Sequence, residues 1–173
     1  MNALATLPAW RDQMDDDRRD RDASYLAHLR RRRAMQIRAY QSSDEAAVVA
    51  LWQSCDLTRP WNDPHKDIAR KLQVRPDLFL VGEVQGRLMA SAMFGYEGHR
   101  GWVNYLAVSP DHQRQGHAKA MMQHGEALLL ASGCPKINLQ VRASNAQVLA
   151  FYESLGYRDD QVVSMGKRLI PDL

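Results

Sequence analysis

Apolar and polar positions change rhythm several times along this chain, and each change predicts an element. From Gln36 to Tyr40 the two kinds alternate as they would in a strand. Ser42 or Ser43 then offers an N-cap for an amphipathic helix carrying Ala46, Val49, Ala50 and Trp52. The turn from Thr58 to Pro64 holds two prolines and an Asn-Asp pair, which forbid regular structure. Pro64 suits the first turn of a second helix, running to about Val74. Two apolar runs, 78–84 and 87–94, meet across Gln85-Gly86, a hairpin signal. Residues 95–101 read as a loop, and 102–108 as a strand stopped by Ser109-Pro110-Asp111.

The later pattern is helix, strand, helix, strand. Residues 116–132 are helical in composition and stop at Gly133 and Pro135, and 136–141 form a strand. Asn145 caps a helix through Leu155 that ends at Gly156, and 161–169 read as a final strand. Strands joined by turns come early and strands separated by helices come late. That order predicts an α/β (α+β) chain with a mixed sheet, antiparallel first and parallel where a helix crosses over.

Residues 1–34 differ in kind. Ten of the twelve residues from Arg11 to Asp22 are Arg or Asp, and a block of four arginines spans Arg30 to Arg33. Leu26 and Leu29 sit at helical spacing, but little apolar surface is available to hold such a helix down. We read 1–34 as a charged, mobile arm and 35–173 as the folded domain. The whole chain carries 23 Lys+Arg against 20 Asp+Glu, and the arm alone holds eight Arg and six Asp, so the domain is near neutral. The arginine block invites a nucleic-acid reading, but the interleaved aspartates count against it.

With 173 residues and 45% apolar content, the chain buries an ordinary core without metal or disulfide staples. No run approaches the roughly 18 apolar residues of a membrane helix, and the start lacks a signal peptide's apolar stretch. The expectation is a cytoplasmic protein with no membrane partner. Cys55 and Cys134 lack C-x-x-C spacing, and His117 and His124 lack the H-E-x-x-H context, so no metal is expected.

Two segments carry candidate chemistry. From Tyr105 to Ala118 a strand runs into a loop that presents consecutive backbone N–H groups at a helix start, with Gly116 and Ala118 small enough for a ligand to approach. Such a start suits phosphate, and Arg114 adds formal charge. No G-K-[ST] or G-x-G-x-x-G accompanies it, and by spacing alone a plain strand–turn–helix connection is the simpler account. In the second segment, 145–157, Val148, Phe151, Tyr152 and Leu155 share a helical face and fit a core stripe. A tyrosine near the end of that stripe can also present its hydroxyl to a cleft.

Together these segments resemble the GCN5-related N-acetyltransferase (GNAT) superfamily over residues 35 to about 169. Gln113-x-x-Gly116-x-Ala118 is similar to that family's acetyl-CoA pyrophosphate loop, and 145–157 resembles its N-x-x-A-x-x-F-Y-E-x-x-G-F signature. The stretches 59–64 and 166–170 further resemble the bacterial YpeA-type branch, whose chains begin near the position of Met35. The resemblance implies a mostly antiparallel sheet splayed after its fourth strand and flanked by about four helices. It implies acetyl-CoA as cosubstrate, with Gln113, Arg114, Gln115, Gly116, His117, Ala118 and Lys119 at the pyrophosphate and Leu106, Ala107 and Val108 along the pantetheine. Asn145 would cap its helix and touch CoA.

Tyr152, a phenol of unperturbed pKa about 10, takes the family's position for protonating the departing thiolate. For the base that frees the acceptor amine, Glu97 after the third strand is the choice, with His99 and Glu83 as rivals and a solvated loop carboxylate as the plain alternative. The early fourth strand, where many members place the base, offers none. Trp61, Asn62 and Asp63 are expected at the acceptor amine, although a prolyl turn with an inward Trp fits the same residues. The implied activity is direct acetyl transfer to a primary amine of a peptide or small molecule, in a chain that self-associates as a homodimer. A non-catalytic acyl-CoA sensor is the alternative from another class.

Overall fold

The computed structural model describes residues 34–172. Expectations for the arm, including a helix at Leu26 and Leu29 and the roles of Arg30 to Arg33, fall outside the described residues. All described elements lie in one unit, Gln36–Leu173. In chain order they are β1 (Gln36–Ala39), α1 (Glu45–Ser54), α2 (Pro64–Leu72), β2 (Phe79–Val84), β3 (Arg87–Tyr96), β4 (Gly101–Val108), α3 (His117–Ala131), β5 (Ile137–Leu139) and α4 (Ala146–Ser154).

The five strands form one sheet in sequence order, antiparallel from β1 to β4 and parallel between β4 and β5. The change of direction is forced by connectivity. Short turns join β2 to β3 and β3 to β4, whereas β4 reaches β5 through α3, a crossover that returns the chain parallel. Successive β3 side chains point to opposite faces. Ser91 accepts a hydrogen bond from Trp52 Nε1 of α1 at 2.9 Å, while Phe94 lies against Gly125 of α3. Hence α1 and α3 cover opposite faces.

On the α1 face, Trp52, Phe79, Val81, Ile68 and Met93 form a continuous apolar cluster. Tyr40 stacks on Phe79 at 4.3 Å, and Trp52 stacks on Tyr105 at 4.1 Å. Trp52 and Ser91 are fully buried, so their mutual hydrogen bond satisfies groups that would otherwise be orphaned in the core.

Three departures from the expected elements are visible. The second helix ends at Leu72, two residues early, and β5 keeps three of the six expected strand residues. More substantially, 161–169 is not a strand: it is exposed and in no ladder among the described residues. Its alternation is strand-like, yet β5 is too short to offer it an edge. The segment instead follows β5 through side chains, with Lys136 bound to Asp160 and Gln140 to Ser164. Farther on, Arg168 donates to Asn62, and Asp172 accepts from Arg70 and from the backbone N–H of Asp63.

Candidate functional site

β4 pairs with β5 only from Gly101 to Val103. The pairing stops at Val103, so among the described residues the edge of β4 from Asn104 to Val108 has no ladder partner on that side. The opposite edge of β4 is irregular at the same level: Ser91 pairs with Ala107 and Met93 with Asn104, so Tyr105 and Leu106 together oppose Ala92. This is a β-bulge, and Tyr105 enters the left-handed region at φ +52°. A tyrosine adopts that conformation only when its surroundings hold it. Here the ring is clamped on Trp52 and the hydroxyl donates to Asp67 Oδ2 at 2.6 Å. Burial first, and the Asp67 carboxylate next, push the Tyr105 phenol up to about 12.

The end of β4 is fixed at one atom. Val108 O accepts from Cys55 Sγ at 3.3 Å and from Gln113 Nε2 at 3.2 Å. The chain then makes a single tight turn at Pro110–His112, passes Arg114 at φ +58° and reaches Gly116 at φ +87°. Gly116 is the residue from which α3 starts, and its carbonyl accepts the first helical bond, from Ala120 N–H at 3.0 Å. The N–H groups of His117, Ala118 and Lys119 therefore precede the helical ladder. A Cβ built on Gly116 meets nothing within 4 Å. Glycine is required there by the dihedral, and the open space before it is where an anionic group would meet those N–H groups.

Asn145 Oδ1 accepts from Val148 N–H at 3.2 Å and so caps α4. Tyr152 lies in the last turn of that helix, edge-on to Phe151 at 5.0 Å and to Tyr157 at 5.6 Å. Tyr157 donates to Glu126 Oε1 of α3 at 2.8 Å, which ties the aromatic group to the helix that starts at Gly116. Burial pushes the Tyr152 phenol up to about 12. Its hydroxyl makes no hydrogen bond among the described residues.

The remaining sequence candidates have structural occupations. Burial pushes the Glu97 carboxylate up, but backbone N–H donors from Arg100 and His99 outweigh this and leave it below its ordinary value. Glu97 closes the turn between β3 and β4. Tyr96 pairs with Gly101, so Glu97 lies beyond the end of β4 opposite the bulge. The rival Glu83 is bound by Arg38. Asp63 caps α2 by accepting from His65 and Lys66 N–H, and Asn62 accepts from Arg168. Trp61 is not an inward-packed residue; half of it is exposed. Among the described residues there is no group of three His, Cys, Asp or Glu side chains able to hold a metal. No helix among them is long and apolar enough to cross a membrane. Asp67 and Tyr105 were not foreseen as site residues, because neither a bulge nor a left-handed tyrosine leaves a composition signal.

The sequence matches the Acetyltransferase (GNAT) family over residues 46–157. The chain belongs to that family. An acetyltransferase of Yersinia enterocolitica is 50% identical over 138 residues, which cover 80% of this chain and 98% of the relative. One of Pectobacterium atrosepticum is 51% identical over the same length and coverage. Among solved structures, the ribosomal-protein-S18-alanine N-acetyltransferase of Escherichia coli is 27% identical with a TM-score of 0.60, over 71% of this chain and 77% of that one. Ard1 of Thermoplasma volcanium, at 22% identity and TM-score 0.65 over 71% and 82%, shares the fold. This GNAT chain is therefore an N-acetyltransferase, of a family that uses acetyl-CoA.

Proposed function

We propose that this enzyme passes the acetyl group of acetyl-CoA directly to a primary amine in a ternary complex. The observation that carries the reading is the continuity between the unpaired edge of β4 and the open helix start at Gly116. An extended, amide-rich pantetheine finds backbone donors and acceptors along Leu106, Ala107 and Val108. At the far end of that edge, the N–H groups from Arg114 to Lys119 and the Arg114 guanidinium suit a pyrophosphate, with Gln113 and Gln115 shaping the turn. Gln115 does so by donating to Asp111 O at 3.3 Å. Asn145 lies at the start of the helix that carries Tyr152.

In the proposed step the neutral amine nitrogen bonds to the thioester carbon, and the carbon–sulfur bond breaks as Tyr152 gives its proton to the departing thiolate. The nitrogen's surplus proton leaves to water, and the Tyr152 phenolate regains a proton from water. Cys55 does not fit an acetyl-enzyme route, since burial pushes its thiol up and its sulfur is committed to Val108 O. Glu97 is left out of the proton path because its carboxylate is already satisfied and is a weakened base. The acceptor must then be able to lose its own proton. At pH 7 this costs about 4.6 kcal/mol for a lysine-like amine but about 1.4 kcal/mol for an α-amine. We therefore place α-amines ahead of lysine-like amines, and the S18-alanine neighbour, named for an alanine acceptor, is consistent with that order. Trp61, exposed beside the Asn62 and Asp63 turn, would form an amphipathic wall for the acceptor.

A panel of α-amine peptides, lysine peptides and small amines with acetyl-CoA, read by CoA release, tests this. α-Amine peptides should react fastest at pH 7. Tight CoA binding with no release from any amine would instead support an acyl-CoA sensor.

The pH profile gives a separate check. A phenol raised to about 12 keeps its proton across the ordinary range. Hence kcat/KM should rise with pH as the amine deprotonates, with no falling limb below pH about 11. A limb near pH 9 would remove Tyr152 as the acid.

A further inference from the structure

We propose that Arg70, Lys66 and the Asp63 N–H form a carboxylate site for an acidic acceptor peptide, and that the chain's own residues 168–172 fill it as an intramolecular competitor. The peptide's role rests on the acceptor side proposed above at Trp61 to Asp63. The site itself rests on what the tail shows it holding.

The Asp172 side chain is only 3% exposed. Its carboxylate meets Arg70 two-to-two, Nη1 donating to Oδ2 at 3.0 Å and Nη2 to Oδ1 at 2.5 Å, and Oδ2 also accepts from Asp63 N–H at 3.4 Å. Lys66 Nζ donates to the Asp172 carbonyl at 3.1 Å, which brings a second cation to the same place. A matched guanidinium–carboxylate pair selects planar oxyanions, so the set suits any carboxylate that reaches it. The Arg70 guanidinium holds the Asp172 carboxyl down to about 2, and the contact therefore persists at every pH where an amine reacts.

The site adjoins the proposed acceptor side. Arg70 also donates to Asp67 at 3.1 Å, and Asp67 accepts from Tyr105, the residue that directly precedes the β4 edge assigned to pantetheine. Behind burial and Asp67, the Asp172 charge adds a small push to the Tyr105 phenol. Four residues before Asp172, Arg168 sets its guanidinium on Asn62 Oδ1 at 2.9 Å, next to the exposed Trp61. The tail thus lays a cation on the acceptor turn and a carboxylate beyond it. An α-amine peptide with an acidic residue a few positions on presents the same two charges in the same order.

The tail is held loosely enough to be displaced. Leu169 and Ile170, between its two contacts, are 83% and 68% exposed, so apolar burial does not fasten them. Residues 162–172 make no backbone–backbone hydrogen bond among the described residues. Partly exposed ion pairs give way to an equivalent partner. A docked tail raises the acceptor's apparent KM in proportion to the time it occupies the site.

Amidated α-amine hexapeptides carrying Glu at one of positions two to five, each against its Gln counterpart, test the proposal on the full chain. Asp172→Ala removes the acceptor of the Asp63 N–H, so amide exchange at Asp63 should speed up about fivefold or more. Adding CoA and a Glu peptide should restore that protection, and the Gln counterpart should not. With acetyl-CoA, the same variant should lower the KM of the best Glu peptide about fivefold while kcat and the KM for acetyl-CoA stay within about twofold. Adding Arg70→Gln should abolish both the protection and the preference for Glu. Unchanged Asp63 exchange in Asp172→Ala, equal protection by Glu and Gln peptides or by neither, or a Glu-peptide KM that rises when the tail contact is lost would overturn the proposal. Protection by Glu peptides without turnover of any peptide would support the carboxylate site and overturn the proposed acetyl transfer.

Discussion

Replacing Tyr152 by Phe should lower kcat by about 10²-fold while leaving the KM for acetyl-CoA within about twofold. The substitution removes one oxygen and keeps the ring that packs edge-on against Phe151 and Tyr157. The hydroxyl makes no hydrogen bond among the described residues, so its loss leaves no partner stranded there. Stability should change little. A thiolate leaving group of pKa near 8.5 can depart without a proton, though less readily, which is why the expected loss sits at the low end for general acids. Steady-state kinetics with a reactive acceptor, together with CoA binding by calorimetry, separates the two effects. Equal turnover in the variant would assign proton delivery to another group or to water.

The largest effect on the fold should come from Gly125→Ala. A Cβ at Gly125 would lie 2.1 Å from Phe94 Cζ and 2.3 Å from Cε1, far inside contact distance. Phe94 is buried near the C-terminal end of β3 beneath α3, so its ring has little room to retreat. Alanine improves helix propensity by about 1 kcal/mol over glycine, but the overlap forces α3 outward or the ring off its rotamer, at a cost of several kcal/mol. The net expectation is a loss of about 2–3 kcal/mol, a fall in Tm of about 5–10 °C for a domain of this size. Thermal unfolding of the single variant and of Gly125→Ala/Phe94→Leu reads it. The smaller leucine should return part of the loss, and strict additivity would show that the ring is not the obstacle.

The turn- and cap-bounded elements were legible because each is punctuated locally. The Gln85-Gly86 turn, Pro64 at the first position of α2 and Asn145 as a cap each act through their immediate neighbours. The loop before α3 was legible for the same reason, since Gly116 is the one residue type that takes φ +87° without cost. What escaped depends on partners distant in sequence. Alternation in 161–169 is the pattern of a strand, but a ladder needs a neighbour, and β5 spends its three residues on β4. Asn62 and Asp63 have the right chemistry for holding an ammonium, yet Arg168 and the start of α2 engage them first. Glu97 could be placed after β3, but not its satisfaction by two backbone N–H groups from the same turn.

The three-residue ladder between β4 and β5 also bears on mechanical integrity. β1 to β4 are held together by longer ladders, whereas β5 joins them through Gly101, Trp102 and Val103 alone. If the cosubstrate binds along the edge of β4 as proposed, it would act as a cross-brace between the two parts of the sheet. Any such ligand stabilises the folded chain by RT ln(1 + [L]/Kd), about 2.7 kcal/mol at a hundredfold excess over Kd. On the proposed reading, the chain should resist unfolding better with acetyl-CoA bound than without it.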